Sequence, residues 1–132
     1  MLVRSSAIGR KLPVSEIKAR LVVNNIRGMR AEQAISYLSY QPNKCAGYIS
    51  KIISSAVSNL TTKTTTGQRI DEEKLVIEKI FVDKGPIRSL RRARTRARFK
   101  KKKFRSPLSK RPSCHISVHI VGEQIEAKSE PK

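Results

Sequence analysis

From Lys84 to Arg111 the chain runs for 28 residues with 14 Lys or Arg and no Asp or Glu. Apolar segments border this stretch on both sides, Leu75 to Val82 before it and His115 to Val121 after it. Such a stretch cannot enter a core, because uncompensated cations would bring their desolvation cost and mutual repulsion with them. It is also too long for an ordinary connection, since structureless loops beyond about 12–15 residues in compact domains are usually functional or disordered. The chain as a whole carries +19, so everything outside this segment carries only +5. Self-repulsion of that size opposes compaction unless a polyanion supplies the opposite sign. Nucleic acid is the partner this charge selects, with an anionic membrane as the rival.

The remaining sequence is enough for one domain. At 132 residues and 38% hydrophobic content, a small core with some chain left outside it is expected. Residues 1–12 are short, basic and polar, an N-terminal arm or an edge strand. Ser15 is placed to cap a helix on which Ile17, Leu21, Val22 and Ile26 recur at helical spacing, and Gly28 follows as its stop. Ala31, Ala34, Ile35 and Leu38 mark a second helix, closed by Gln41-Pro42. Asn43 opens a third, with Ala46, Ile49, Ile52, Ile53, Ala56 and Leu60 on one stripe. Thr61 to Arg69 reads as a loop.

Two strands follow. Leu75 to Val82 alternates imperfectly, because Glu78 and Lys79 fall on opposite faces. Ile116, Val118 and Ile120 alternate cleanly with His115, Ser117 and His119. The expected fold is α+β: three helices packed on a small antiparallel sheet, with a long basic β-hairpin extension. One domain should span residues 13–122, including the hairpin at about 84–111, with a flexible polar tail over 123–132.

Within the basic segment, Arg92, Arg94, Arg96 and Arg98 alternate with Ala93, Thr95 and Ala97. In an extended chain the arginines line one edge and the small residues the other. Lys100, Lys101, Lys102 and Lys103 form a charge block between Phe99 and Phe104, aromatics able to stack on bases or to wedge into RNA grooves. A hairpin of about 14 residues per side would project roughly 45 Å, well clear of a domain whose radius of gyration is near 13 Å. A solvated tail or a localisation signal is the plainer reading of any Lys/Arg run. Here, however, the run lies between two strands able to pair, which would pin both its ends.

Other chemistries find little support. Cys114 and His115 point to opposite faces of a strand, and His119 sits about 13 Å from His115 along it, too far for joint zinc ligation at about 2.0–2.3 Å. Cys45 and Cys114 read as free thiols in a reducing compartment. The few carboxylates make no acid/base pair; there is no Gly-rich phosphate loop and no Ser/His/Asp constellation, so no enzyme and no cofactor are expected. The basic segment has period two and lacks the apolar face of a membrane-surface helix, and no stretch reads as a signal peptide or a membrane span. A DNA-packaging protein also uses basic arms and is the nearer alternative.

Lys79-Ile-Phe-Val-Asp-Lys-Gly-Pro86 resembles the strand-to-loop junction of the large-subunit ribosomal protein 22 family of the bacterial type. Ser15-x-x-Lys18-x-Arg20-Leu-Val22, Ile26-Arg27-Gly28, Asn43-Lys44-x-Ala46, Ser55-Ala56-x-x-Asn59 and Ser113-Cys-His-Ile116 agree in order. The resemblance implies a structural constituent of the large subunit that binds its rRNA, assists assembly and sends its hairpin to the nascent-peptide exit tunnel. Arg92 to Ala97 (Arg92, Ala93, Arg94, Thr95, Arg96, Ala97) corresponds to the family's tip motif, with Arg91 where the family has proline and Thr95 where it has glycine. The implied partners are large-subunit rRNA, neighbouring ribosomal proteins and the nascent chain, with one copy in each ribosome of a bacterial cytoplasm or plastid stroma.

The candidate rRNA contacts are then Arg4, Arg10 and Lys11 in the N-terminal arm, and Lys18, Arg20, Arg27 and Arg30 on or beside the helices. In and beside the hairpin they are Lys84, Arg88, Arg91, the four alternating arginines, Lys100 to Lys103, Arg105, Lys110, Arg111 and His115. Arginine forks onto two phosphate oxygens, whereas lysine acts as a point charge. Deleting residues 88–110 is expected to leave a folded domain whose helical far-UV circular dichroism persists; loss of that signal would contradict the two-part organisation.

Overall fold

A strand at the end of the chain organises the fold. In the computed structural model, which describes residues 2–63, 68–70, 74–90 and 109–126, the order is β1 (Leu2–Leu12), α1 (Glu16–Ile26), α2 (Ala31–Tyr40), α3 (Lys44–Lys63), β2 (Gln68–Ile70), β3 (Val76–Lys84), β4 (Arg88–Leu90), β5 (Ser109–Arg111) and β6 (Cys114–Glu126). β6 is central: β1 and β3 pair with it antiparallel on either side, and its far end pairs with β2. Ile116, Val118 and Ile120 are buried while His115, Ser117 and His119 are half-exposed, as the alternation predicts. α1 and α3 pack on the buried face and α2 packs on α3, giving the expected α+β architecture. Of the hairpin extension the described residues hold the root, β4 against β5.

The edge-strand alternative holds for the N-terminus. β1 matches β6 from Leu2↔Glu123 to Leu12↔Cys114. Its core face carries Ser5 and Ala7 rather than large apolar side chains, so alternation could not reveal it. Ser5 is 2% exposed, and its hydroxyl donates to the Ala56 carbonyl of α3 at 2.8 Å, a bond of about 0.5–1.5 kcal/mol net that also spares a buried polar group.

Irregularity in β3 has a geometric cause. The register shifts between Ile77 and Lys79, a β-bulge that spends one extra residue and returns Ile80 and Val82 to the core side. Gly28 takes φ +80°, the left-handed stop the sequence called for, and its N–H donates to Ile77 O at 3.2 Å. Met29 O receives Ile77 N–H at 3.0 Å and Leu75 O receives Ala31 N–H at 2.8 Å. The α1–α2 turn thus covers part of the outer edge of β3, a row of groups that would otherwise invite strand addition.

Three expectations are corrected. On α1, Ile17 and Leu21 are each 66% exposed, and the buried set is Ala19, Val22, Val23 and Ile26; the helix packs on β3 and α3 through the small Ala19. The Thr-rich loop begins later than expected, because α3 continues to Lys63. Thr61 and Thr62 bond their hydroxyls back to Ser58 O at 2.8 Å each, which lets threonine continue the helix. The expected tail at 123–132 does not start at Glu123, since Gln124 to Glu126 pair with Gln68 to Ile70; residues 127–132 lie outside the described residues. Ser15 holds the N-cap position of α1 without a side-chain cap bond. Cys45 and Cys114 are free and buried, and burial, with Cys45 and Glu16 nearby, pushes the Cys114 thiol up.

Gly85 is where β3 leaves the sheet. A Cβ there would lie 2.5 Å from Ser113 Oγ and 3.0 Å from Ser113 C and O. Gly85→Ala should therefore destabilise the domain by about 1–3 kcal/mol in urea unfolding, and an unchanged midpoint would show that this close approach is not needed.

Candidate nucleic-acid interface

Both ends of the basic segment are fastened. Lys84 lies opposite Cys114 at the last β3–β6 pair. Beyond it the Gly85 N–H donates to Ser113 O at 2.8 Å, and Ser113 Oγ donates to Pro86 O at 2.6 Å. β4 and β5 then continue the ladder with Arg88↔Arg111, Ser89↔Lys110 and Leu90↔Ser109. Arg91, Arg92, Arg94, Arg96, Arg98, Lys100 to Lys103 and Arg105, with the tip over 92–97, lie outside the described residues.

The end of β1 meets this root. The register with β6 shifts between Gly9 and Leu12, and Lys11 takes φ 55°, the left-handed region that costs a side-chain-bearing residue roughly 1–2 kcal/mol. The Lys11 N–H donates to His115 Nδ1 at 2.9 Å, so that nitrogen is the acceptor and the ring offers Nε2 to a partner. Beside this turn lies a cavity of about 740 Å³. Its walls come from the β1–α1 turn, the first turns of α1 and α3, and the root of the arm. Lys11, Lys18, Lys44 and Arg111 line it, and among the described residues no carboxylate does.

Two of the candidate arginines are occupied within the domain. Arg20 Nη2 donates to Val82 O and Arg27 Nη2 to Ile80 O, each at 3.2 Å. Both carbonyls belong to the outer edge of β3, so these side chains tie α1 to the sheet and complete the cover begun by the α1–α2 turn. Each guanidinium has five N–H donors, so one such bond leaves others for phosphate. Arg30 precedes α2 and bridges Val76. Arg4 Nε lies 3.3 Å from Glu78 Oε2, an exposed pair of the kind that contributes at most about 1 kcal/mol.

The sheet face turned away from the helices carries Ile8 and Phe81, at 56% and 50% exposure, with Arg4, Arg10, Ser117, His119 and Lys79. Phe81 and His119 meet edge to face at 5.9 Å between ring centres. Glu78 and Asp83 also lie on these strands, so charge here is nearly balanced. Cation excess among the described residues gathers instead at the arm root. Sequence reasoning passed over three residues at these surfaces. Lys44 and Tyr48 reach the root cavity from the start of α3, and Lys79 sits in the bulge. Only folding brings the first two beside Arg111, so no spacing in the sequence signals them.

Comparison with known proteins agrees with this arrangement. Residues 7–120 match the family described as ribosomal protein L22p/L17e. The chain is 39% identical over 122 residues to the large ribosomal subunit protein uL22 of Desulforamulus reducens, covering 92% of this chain and 97% of that one. It is 41% identical over 116 residues to the uL22 of Aliarcobacter butzleri, covering 88% and 92%, and 40% identical over 124 residues to that of Wolinella succinogenes, covering 94% and 99%. A match of this length, over a domain with its basic segment pinned between β3 and β6, places the chain in the L22p/L17e family of ribosomal proteins.

Proposed function

We propose that the chain is a structural constituent of the large ribosomal subunit, non-enzymatic, that binds large-subunit rRNA and holds RNA segments together during and after assembly. The observation that carries this reading is the family match over residues 7–120. Physical support comes from a charge of +19, of which +14 lies in an arm fastened at both ends. The globular domain docks on folded RNA while the arm passes between RNA helices and neutralises phosphates. The tip, Arg92 to Ala97, lines the wall of the nascent-peptide tunnel and meets the growing chain. Neighbouring ribosomal proteins complete the surroundings, in a bacterial cytoplasm or a plastid stroma. Among the described residues no helix is long and apolar enough to cross a membrane.

Recognition of this kind reads shape and backbone more than base sequence. The deep, narrow major groove of A-form RNA hides base edges from side chains, while phosphates and 2′-hydroxyls remain accessible. Affinity should accordingly fall steeply with salt, as each neutralised phosphate releases counterions.

Two measurements test the reading. The protein should co-migrate with the large subunit on a sucrose gradient and remain there through a high-salt wash; recovery only in the soluble fractions would overturn it. Replacing Arg92, Arg94, Arg96 and Arg98 together by Gln should make the salt dependence of rRNA binding shallower by about 3 units of log K per log salt. An unchanged slope would remove the arm from the interface.

A further inference from the structure

We infer that the cavity at the arm root is a seat for one unpaired rRNA strand, with a phosphate held among Lys11, Lys18, Lys44 and Arg111 and a base stacked on Tyr48. The inference rests on the rRNA-binding reading and assigns it a second contact, separate from the arm's passage between RNA helices.

Size and composition carry the argument. At about 740 Å³ the cavity has room for a nucleotide, within the roughly 300–1,000 Å³ range of sites that take small organic ligands. Four cations from three separate segments line it, among them Lys18 and Lys44 from different helices. All four are exposed, and among the described residues no carboxylate lines the wall beside them. Like charges that line one cavity repel one another, and an anion seated among them relieves this.

The walls are rigid. Pro13, Pro86 and Pro112 all line the cavity, each with φ fixed by its ring. The Lys11–His115 and Ser113–Pro86 hydrogen bonds clamp the turns that carry them. A site held in this way loses little conformational freedom on binding. Tyr48 is half-buried against the core, so its ring is held in place while still lining the cavity. An aromatic ring beside fixed cations is the combination that binds single strands without sequence preference: the π-face takes a base and the cations take the backbone. Lys11 adds a further sign, because it holds a left-handed backbone, φ 55°, at a non-glycine position. Such conformations persist where the surrounding structure holds them and cluster at ligand sites.

The experiment uses the full chain with deproteinised bacterial large-subunit rRNA, read by filter binding across a salt series. Lys18→Gln with Lys44→Gln should flatten the salt dependence by about 1.4 units and weaken binding roughly 25-fold at 0.1 M salt. Tyr48→Leu should weaken binding at least about fivefold, whereas Tyr48→Phe, which keeps the ring, should bind as the parent does. Both lysines are exposed, so circular dichroism should show the double variant folded. Parent-like affinity and slope in the double variant, or equal binding by Tyr48→Leu, would overturn the seat while leaving rRNA binding intact. Failure of the parent chain itself to bind would overturn the rRNA reading and the seat with it. A photoreactive residue at position 48 should cross-link to rRNA in assembled large subunits; cross-linking to a neighbouring protein, or within the chain, would also overturn the seat.

Discussion

Antiparallel pairing of β3 with β6 is the constraint on which the molecule turns. These two strands supply Ile77, Ile80, Val82, Ile116, Val118 and Ile120 to the core, and at their open end the chain leaves and returns through Gly85 and Ser113. One ladder therefore does two jobs. It builds the floor on which the helices pack, and it holds the two ends of the basic segment together. Loop closure grows only slowly with length, about 0.6 kcal/mol for each doubling, so the domain tolerates a long insertion at this point.

The chain divides labour between its residue types. Isoleucine, valine and alanine make the scaffold, with Ile49, Ile53 and Leu60 of α3 fully buried. Cations serve the surface, yet several also hold the fold. Arg20 and Arg27 close the β3 edge against strand addition, and Arg4 reaches across the open sheet face to Glu78. These side chains belong to the architecture, so their loss would weaken the domain whatever else they contact. Lys11, Lys18, Lys44 and Arg111 are different: their side chains stand exposed around the root cavity.

Much of the fold could be read from periodicity. The stripes of α2 and α3, the Gly28 stop and the alternation of the last strand all correspond to buried faces or backbone turns. Periodicity failed where more than one face was eligible. α1 carries apolar residues on adjoining faces, and only the positions of β3 and α3 decide that Val23 and Ala19 go inside while Ile17 and Leu21 stay out. It failed again in β1, whose buried Ser5 and Ala7 carry no hydrophobic signal, and at Thr61 and Thr62, where hydroxyls bonded to the preceding turn extend a helix through residues typical of a loop. The candidate interface was legible as charge but not as a place. The arm's composition named the partner, whereas the root cavity is assembled from four stretches of chain and exists only once β1 and β6 are paired.

The account makes the arm's form a consequence of the polyanion it enters. Amide hydrogen exchange of residues 91–108, compared between the free chain and assembled large subunits, tests this most directly. Protection in that segment should rise on assembly while the β3 and β6 amides stay protected in both states. Equal exchange of the segment in the two states would contradict it.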